Sequence, residues 1–349
     1  MHPCSLLSLA TAVPANAISQ AEAKALGRRA FGGKLALFDR LSGVFDNAGI
    51  AKRHLVAPAE WYEAGHGWAE RNALYLDAAE QLFEDAARAA IAQAGLEPRD
   101  IDGVVSVSST GIATPSLEAR VAPRLGLRDD IGRVPLFGLG CAGGVSGLAT
   151  AARLASAQPG SRWLFVTVET CSISIRLDSD DPAAIVATAL FADGAAAAVV
   201  GSGDGGGLAR IRSSAEKLWP DTLKIMGWQV EDPGLAVLFD RAIPPFIERE
   251  LQAAVDAMLG SMGVERADIA RLCCHPGGVK VIDAIETALG LPGGDLDLER
   301  EVLRDFGNMS APTVLFVLDR LIARSLPERV LMTAFGPGFT CAGMLLEAP

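Results

Sequence analysis

The chain has 349 residues, half of them hydrophobic and 21% charged, with a net charge of -11 and a pI of about 4.9. This is globular composition, with enough chain to bury roughly 75% of its unfolded surface, so disordered and fibrous classes are excluded. The acidic balance argues against generic binding to nucleic acid or an anionic membrane.

The opening stretch, Leu6 to Ala17, imitates a signal peptide, with Ala15-Asn16-Ala17 placed like a cleavage site. It lacks a basic leader and Pro14 breaks the apolar run, so it reads as a strand and loop. No run approaches ~18 apolar residues, so no transmembrane helix and no membrane insertion is expected. The six cysteines, Cys4, Cys141, Cys171, Cys273, Cys274 and Cys341, have no paired spacing. That pattern points to reduced thiols in the cytoplasm rather than a disulfide framework.

From Arg99 onward the chain echoes itself. Arg99–Val105 and Ala267–Cys273 are each a short polar lead into a buried strand. A helix follows in both, ending at Leu125-Gly126-Leu127 and Leu289-Gly290-Leu291, and then comes Phe-Gly, at Phe137-Gly138 and Phe306-Gly307. Each Phe-Gly opens a helix, over about residues 142–157 and 309–325, that leads into an apolar strand, Trp163–Val168 and Arg329–Phe335. Each half closes on a last strand, Ala195–Val200 and Cys341–Leu346. Alternating strands and helices imply an α/β fold with buried sheets, and two such runs in tandem imply a duplicated unit. The boundary falls in the glycine-rich run 201–207, giving halves 1–204 and 205–349.

The duplication brings two loops toward the middle of the molecule. Cys141 lies in LFGLGCAGG, residues 136–144, near a helix start, where exposed N–H groups and the helix dipole would lower a thiol pKa. It reads equally well as a small buried hydrophobe. Gly138–Gly143 also imitates a dinucleotide-binding G-x-G-x-x-G turn, with Glu169 closing the next strand. Of four histidines, only His275 ends a buried strand at a turn, Pro276-Gly277-Gly278, where an imidazole can act as acid, base or donor. Its other reading is a packed, satisfied side chain. Asn308 either caps the helix that follows or donates an amide N–H to a developing oxyanion. Cys273, Cys274 and His275 are consecutive, so their side chains alternate between faces and no metal site is expected.

Cys141, His275 and Asn308, in that order and setting, resemble the triad of the thiolase-fold condensing enzymes. The finer resemblance is to the type III, chalcone-synthase-like polyketide synthases. It rests on residues 50–56, 138–144, ALFADG (189–194), HPGG (275–278), GNMS (307–310) and FGPG (335–338), spread over nearly the whole chain. It implies a thiolase-like fold in αβαβα layers and no resident cofactor, the substrates being coenzyme A thioesters. An acyl-CoA starter would load Cys141, and His275 and Asn308 would hold malonyl-CoA through decarboxylation, with His275 keeping Cys141 as thiolate in an ion pair. Repeated condensation and cyclisation would give a pyrone, resorcinol or related product. By the same resemblance, Phe191 is the aromatic beside the catalytic residues, and Ser310, Gly336, Pro337 and Gly338 border the cavity. Val237, Cys171 and Trp228 stand where plant members carry a second gate phenylalanine, a threonine and a glycine. Arg40 matches one coenzyme A phosphate position. The other two appear as Gly43 and Asn47, for which Lys52 and Arg53 are nearby substitutes. A homodimer is implied, with Thr114 in the segment by which one subunit reaches the other's cavity. The alternatives are a single-condensation ketoacyl synthase, a Cys–His–Asn thioester hydrolase and a nicotinamide-binding module.

Overall fold

The computed structural model describes residues 2–31, 35–176, 181–203 and 206–349. The expected boundary between residues 204 and 205 lies outside the described residues. Among the described residues, thirteen strands run in chain order: β1 (Cys4–Ala12), β2 (Asn16–Ser19), β3 (Lys52–Leu55), β4 (Gly103–Val107), β5 (Gly132–Leu136), β6 (Arg162–Thr170), β7 (Asp193–Ser202), β8 (Ala209–Leu218), β9 (Met226–Glu231), β10 (Gly234–Phe239), β11 (Arg271–Cys274), β12 (Arg329–Gly336) and β13 (Thr340–Glu347). Nine of them form one mixed sheet in the order β11-β12-β13-β8-β1-β7-β6-β4-β5, and β2-β3 and β9-β10 are separate hairpin-like pairs.

The sheet carries the duplication in its pairing. Outward from β1, β7 and β6 join antiparallel, and β4 and β5 continue parallel. Outward from β8 the same sequence recurs: β13 and β12 antiparallel, then β11 parallel. The two wings meet where β1 pairs β8 over Cys4–Leu6 and Ala209–Ile211. Both polar leads form a 3-10 turn, at Pro98–Asp100 and Arg266–Asp268. The helices Leu117–Leu125 and Val279–Leu289 both end on a left-handed glycine, Gly126 and Gly290, as their Leu-Gly-Leu signals require.

Strand alternation explains the layers. Along β6 and β7, Trp163, Phe165, Ala196, Ala198 and Val200 point to one core, which also holds residues of the helices Gly143–Ala157 and Thr313–Arg324 and of the opposite wing. The intervening Leu164, Val166, Val168, Ala195, Ala197 and Val199 point to another, closed by the helices Trp68–Gln93 and Leu117–Leu125. On the second wing, Leu331, Phe335 and Cys341 face the helices Ile243–Met262 and Val279–Leu289. Strands buried on both faces read as continuous apolar runs, as these do. The layering is therefore helix, sheet, paired central helices, sheet, helix.

The central helices approach closely because small residues meet. A Cβ on Gly144 would lie 2.3 Å from the Ala311 carbonyl oxygen. The first central helix begins at Gly143, as expected. The second begins at Thr313, so Phe306-Gly307 ends the preceding helix, Asp297–Phe306, instead of opening the next, and Asn308 is not its cap.

Candidate active site

Cys141, His275 and Asn308 line a single narrow cavity with Phe335, Phe239, Ile243 and Val281. The free space there is about 20 Å³, room for roughly one water. Three different backbone devices place the three side chains.

Cys141 sits in the 3-10 turn Gly140–Ala142, immediately ahead of the first central helix. Its thiol donates to Ser310 Oγ at 3.4 Å. Ser310 reaches it because its backbone adopts φ +60°, a left-handed conformation uncommon outside glycine and typical of constrained functional loops. Burial decides the charge of this thiol. It is pushed up to about 12, chiefly by desolvation, with the Ser310 hydrogen bond opposing and Glu169 adding a smaller upward push. The expected lowering by the helix start is outweighed.

His275 follows β11, its backbone N–H donating to Thr333 O at 2.9 Å. Desolvation pushes its imidazole down to about 3. Burial thus favours the neutral forms of both thiol and imidazole and opposes the expected thiolate–imidazolium pair. Both ring nitrogens are buried without a hydrogen-bond partner among the described residues, and His275 lines the cavity. A buried imidazole with both nitrogens uncommitted is costly unless a bound group uses them.

Asn308 is clamped at four points. Its backbone N–H donates to Leu190 O and its carbonyl accepts from Ala192 N, both at 2.9 Å, forming a parallel bridge to Phe191. Its side-chain Oδ1 accepts from Ser310 N at 2.8 Å, and Nδ2 donates to Gly277 O at 3.0 Å. The capping and donor roles therefore do not compete. The oxygen end closes the turn, while the nitrogen end ties Asn308 to the turn after His275 and keeps a second N–H for the cavity.

The pocket candidates also converge. Phe191, Cys171 and Ala187 form one small cluster, with Trp228 and Val237 packed on it. Phe191 and Trp228 ring centroids are 6.0 Å apart, and Trp228 pairs Val237 across the β9-β10 hairpin. Gly336 and Pro337 pack against Leu139, Ala142 and Gly140, bracing the nucleophile turn, and Gly338 accepts from the Thr222 hydroxyl through its carbonyl. Thr114 is exposed and lines a surface cleft with Ile112 and Phe137, outside the cavity of its own chain.

Arg40 and Lys52 are exposed, as phosphate anchors must be. Arg53 is not available for that role. It is 1% exposed and donates from Nη1 to Phe191 O at 2.7 Å. The alternation of β3 turns Lys52 outward and Arg53 inward. Asp193, in ALFADG, is likewise an interior residue. It is fully buried and accepts from Val56 N and Ser172 N, each at 2.7 Å. Glu169 is fully buried too, accepts from Ser109 N and Thr110 Oγ1, and is raised by burial to about 8. Acids embedded in apolar strands, VTVET and ALFADG, were the signal for both.

The dinucleotide reading of Gly138–Gly143 fails on packing. Gly140 lies against Pro337, Gly143 against Val107 and Gly144 against Ala311, so protein atoms fill the space a pyrophosphate needs. Among the described residues, no group of three His, Cys, Asp or Glu side chains could hold a metal ion, and no helix is long and apolar enough to cross a membrane.

Comparison with known proteins agrees with this geometry. Residues 2–204 match the N-terminal domain of chalcone and stilbene synthases, and residues 210–348 match the C-terminal domain. The chain is 38% identical over 308 residues to 1,3,6,8-tetrahydroxynaphthalene synthase of Streptomyces peucetius subsp. caesius, covering 86% of this chain and 81% of the relative. It is 32% identical over 319 residues to 3,5-dihydroxyphenylacetyl-CoA synthase of Amycolatopsis orientalis, covering 88% and 85%. The crystal structure of 1,3,6,8-tetrahydroxynaphthalene synthase from Streptomyces coelicolor A3(2), a bacterial type III polyketide synthase, superposes with a TM-score of 0.91 at 29% identity, over 99% of both chains.

Proposed function

Because the chain belongs to the chalcone and stilbene synthase family and is a type III polyketide synthase, a condensing acyltransferase of thiolase-like fold, we propose that Cys141, His275 and Asn308 carry its chemistry. The observation that supports this assignment is their convergence on one buried cavity. Cys141 takes the acyl group from an acyl-CoA starter. His275 and Asn308 donate to the thioester carbonyl of malonyl-CoA, and the enolate left by departing carbon dioxide attacks the acyl-cysteine. Two preorganised donors in a water-excluded site stabilise that enolate far better than bulk water.

Burial favours the neutral forms of thiol and imidazole, which makes acylation the step at which charge separates. The His275 imidazole lines the same cavity and can receive the thiol proton as Cys141 attacks the thioester. No resident cofactor is required, since the activation lies in the thioester.

The starter pocket is the Phe191–Cys171–Trp228–Val237 cluster. The room given by Val237 is taken up by Trp228 on the adjoining strand. Arg40 and Lys52 are the candidates for the coenzyme A phosphates. The exposed Phe137, 64%, and Ile112, 53%, beside Thr114 support a homodimer through that face. Six dispersed free cysteines support a reducing, cytoplasmic setting.

Incubation with malonyl-CoA and a panel of short and long acyl-CoAs tests the assignment. Carbon dioxide release and cyclised polyketides are expected. An unacylated Cys141 with no carbon dioxide would refute it.

A further inference from the structure

Arg53 is a buried cation spent on one backbone carbonyl. Its Nη1 donates to Phe191 O at 2.7 Å, and its stem runs beneath Gly307, where an added Cβ would lie 2.7 Å from Arg53 Cγ. Gly307 takes φ +73°, so both its backbone and the Arg53 stem demand glycine there. Phe191 and Asn308 are the two residues of the parallel bridge beside the cavity. Arg53 thus touches that bridge from both sides, through the carbonyl of one partner and the residue preceding the other.

Behind Arg53 lies a second tier. Asp193 is held by Val56 N and by the backbone and hydroxyl of Ser172, and Ser172 Oγ meets Tyr62 OH at 2.6 Å. Burial pulls the guanidinium down to about 10 while Asp193 opposes, so it stays charged at neutral pH. Apolar side chains of similar volume usually replace a buried charged network without loss of stability. A guanidinium buried here is thus weak evidence for stability, and its contacts with Phe191 O and Gly307 point to a role in geometry.

We propose that Arg53 is a positioning residue for condensation, fixing the Phe191–Asn308 bridge so that the Asn308 carboxamide faces the malonyl thioester. This rests on the assignment of Asn308 above. Among the described residues, the hydrogen bond and close packing of Arg53 fall on the Asn308 side and not on the turn that carries Cys141. Loading of Cys141 and condensation should therefore respond differently.

The test uses the full chain and three readouts: acyl loading by intact mass after a rapid quench, carbon dioxide release with chain extension, and the thermal midpoint. Arg53→Lys, a shorter single-point donor, is expected to slow condensation roughly tenfold or more and loading by no more than about twofold. Asp193→Asn keeps the shape and removes the charge facing Arg53. It should show the same split in smaller measure, and it decides the matter if Arg53→Lys does not fold. Equal losses in both steps, tracking the thermal midpoint, would mark a fold defect and overturn the proposal, as would unchanged condensation. A wild-type enzyme that neither loads nor releases carbon dioxide would instead remove the functional assignment, and this inference with it.

Discussion

The loops leading into the two central helices occupy matching places in the two halves, yet they are built on opposite chemistry. The turn around Cys141 is apolar, packed by Val107, Leu139, Pro337 and Ala311, and its thiol is held by one long hydrogen bond. The turn around Asn308 is polar and held at several points, with both backbone groups and both ends of the amide engaged and one amide N–H left over. A nucleophile must move toward its target and change partners as it reacts. A donor that stabilises developing charge gains most from being fixed beforehand. The same scaffold supplies a yielding site and a rigid one.

Removing each reactive group probes this contrast most strongly. Cys141→Ala should abolish extension while leaving some malonyl decarboxylation, measured as carbon dioxide without polyketide; extension surviving in that variant would contradict the covalent role. Asn308→Ala should cut condensation on the order of 10²–10³-fold, the scale of losing an oxyanion donor, with acyl loading much less affected. Comparable losses in loading would erase the proposed division between the two turns.

The spacing between the turns can be strained directly. Gly144→Ala sets a methyl against the Ala311 carbonyl and should cost about 1–3 kcal/mol in denaturant unfolding, with the Cys141–Ser310 contact broken. A variant as stable as wild type would show that the central helices can part freely. On the pocket wall, Trp228→Gly should admit longer starters or further extension, read as a shift in product mass. An unchanged product set would place the chain-length limit elsewhere.

The smallest expected effect concerns pH. Glu169 is raised by burial from an ordinary 4.5 to about 8, so the folded protein holds that proton more tightly than the unfolded chain does. Its contribution is complete below about 4.5 and is lost as pH climbs toward 8. His275, pushed down from 6.5 to about 3, acts in the opposite sense, but only below 6.5. Between pH 6.5 and 8, stability should therefore fall by on the order of 1–2 kcal/mol, and Glu169→Gln should flatten the slope. An identical slope in the variant would mean the carboxyl is ionised throughout.

Much of this organisation was legible in the chain. The duplicated Leu-Gly-Leu and Phe-Gly signals located the strands and helices to within a few residues, because burial on both faces of a strand and left-handed helix ends each impose a residue type. The approach of Cys141 and Asn308 followed from that repeat, and His275 was marked by its place at the end of a buried strand. What was not legible was side-chain direction and burial. A basic pair at Lys52-Arg53 looked like two surface charges, whereas the strand sends one to solvent and one into the core. The burial of Asp193 was not legible because its partners, Val56 and Ser172, are distant in sequence. The burial that opposes thiolate formation at Cys141 was not legible either, because a helix start is visible in sequence and the degree of desolvation is not.

One joint bears on how such a molecule can change over time. Within the described sheet the two wings pair over only a three-residue stretch of β1 and β8, so the alignment of thiol with carboxamide depends also on the Phe191–Asn308 bridge and on the contact of Gly144 with the Ala311 carbonyl. Contact forces of that kind act over a fraction of an ångström and depend on the bulk of very few atoms. Lineages can thus rewrite strand faces, outer helices and loops extensively while the reactive alignment persists, provided a handful of the smallest side chains stays small.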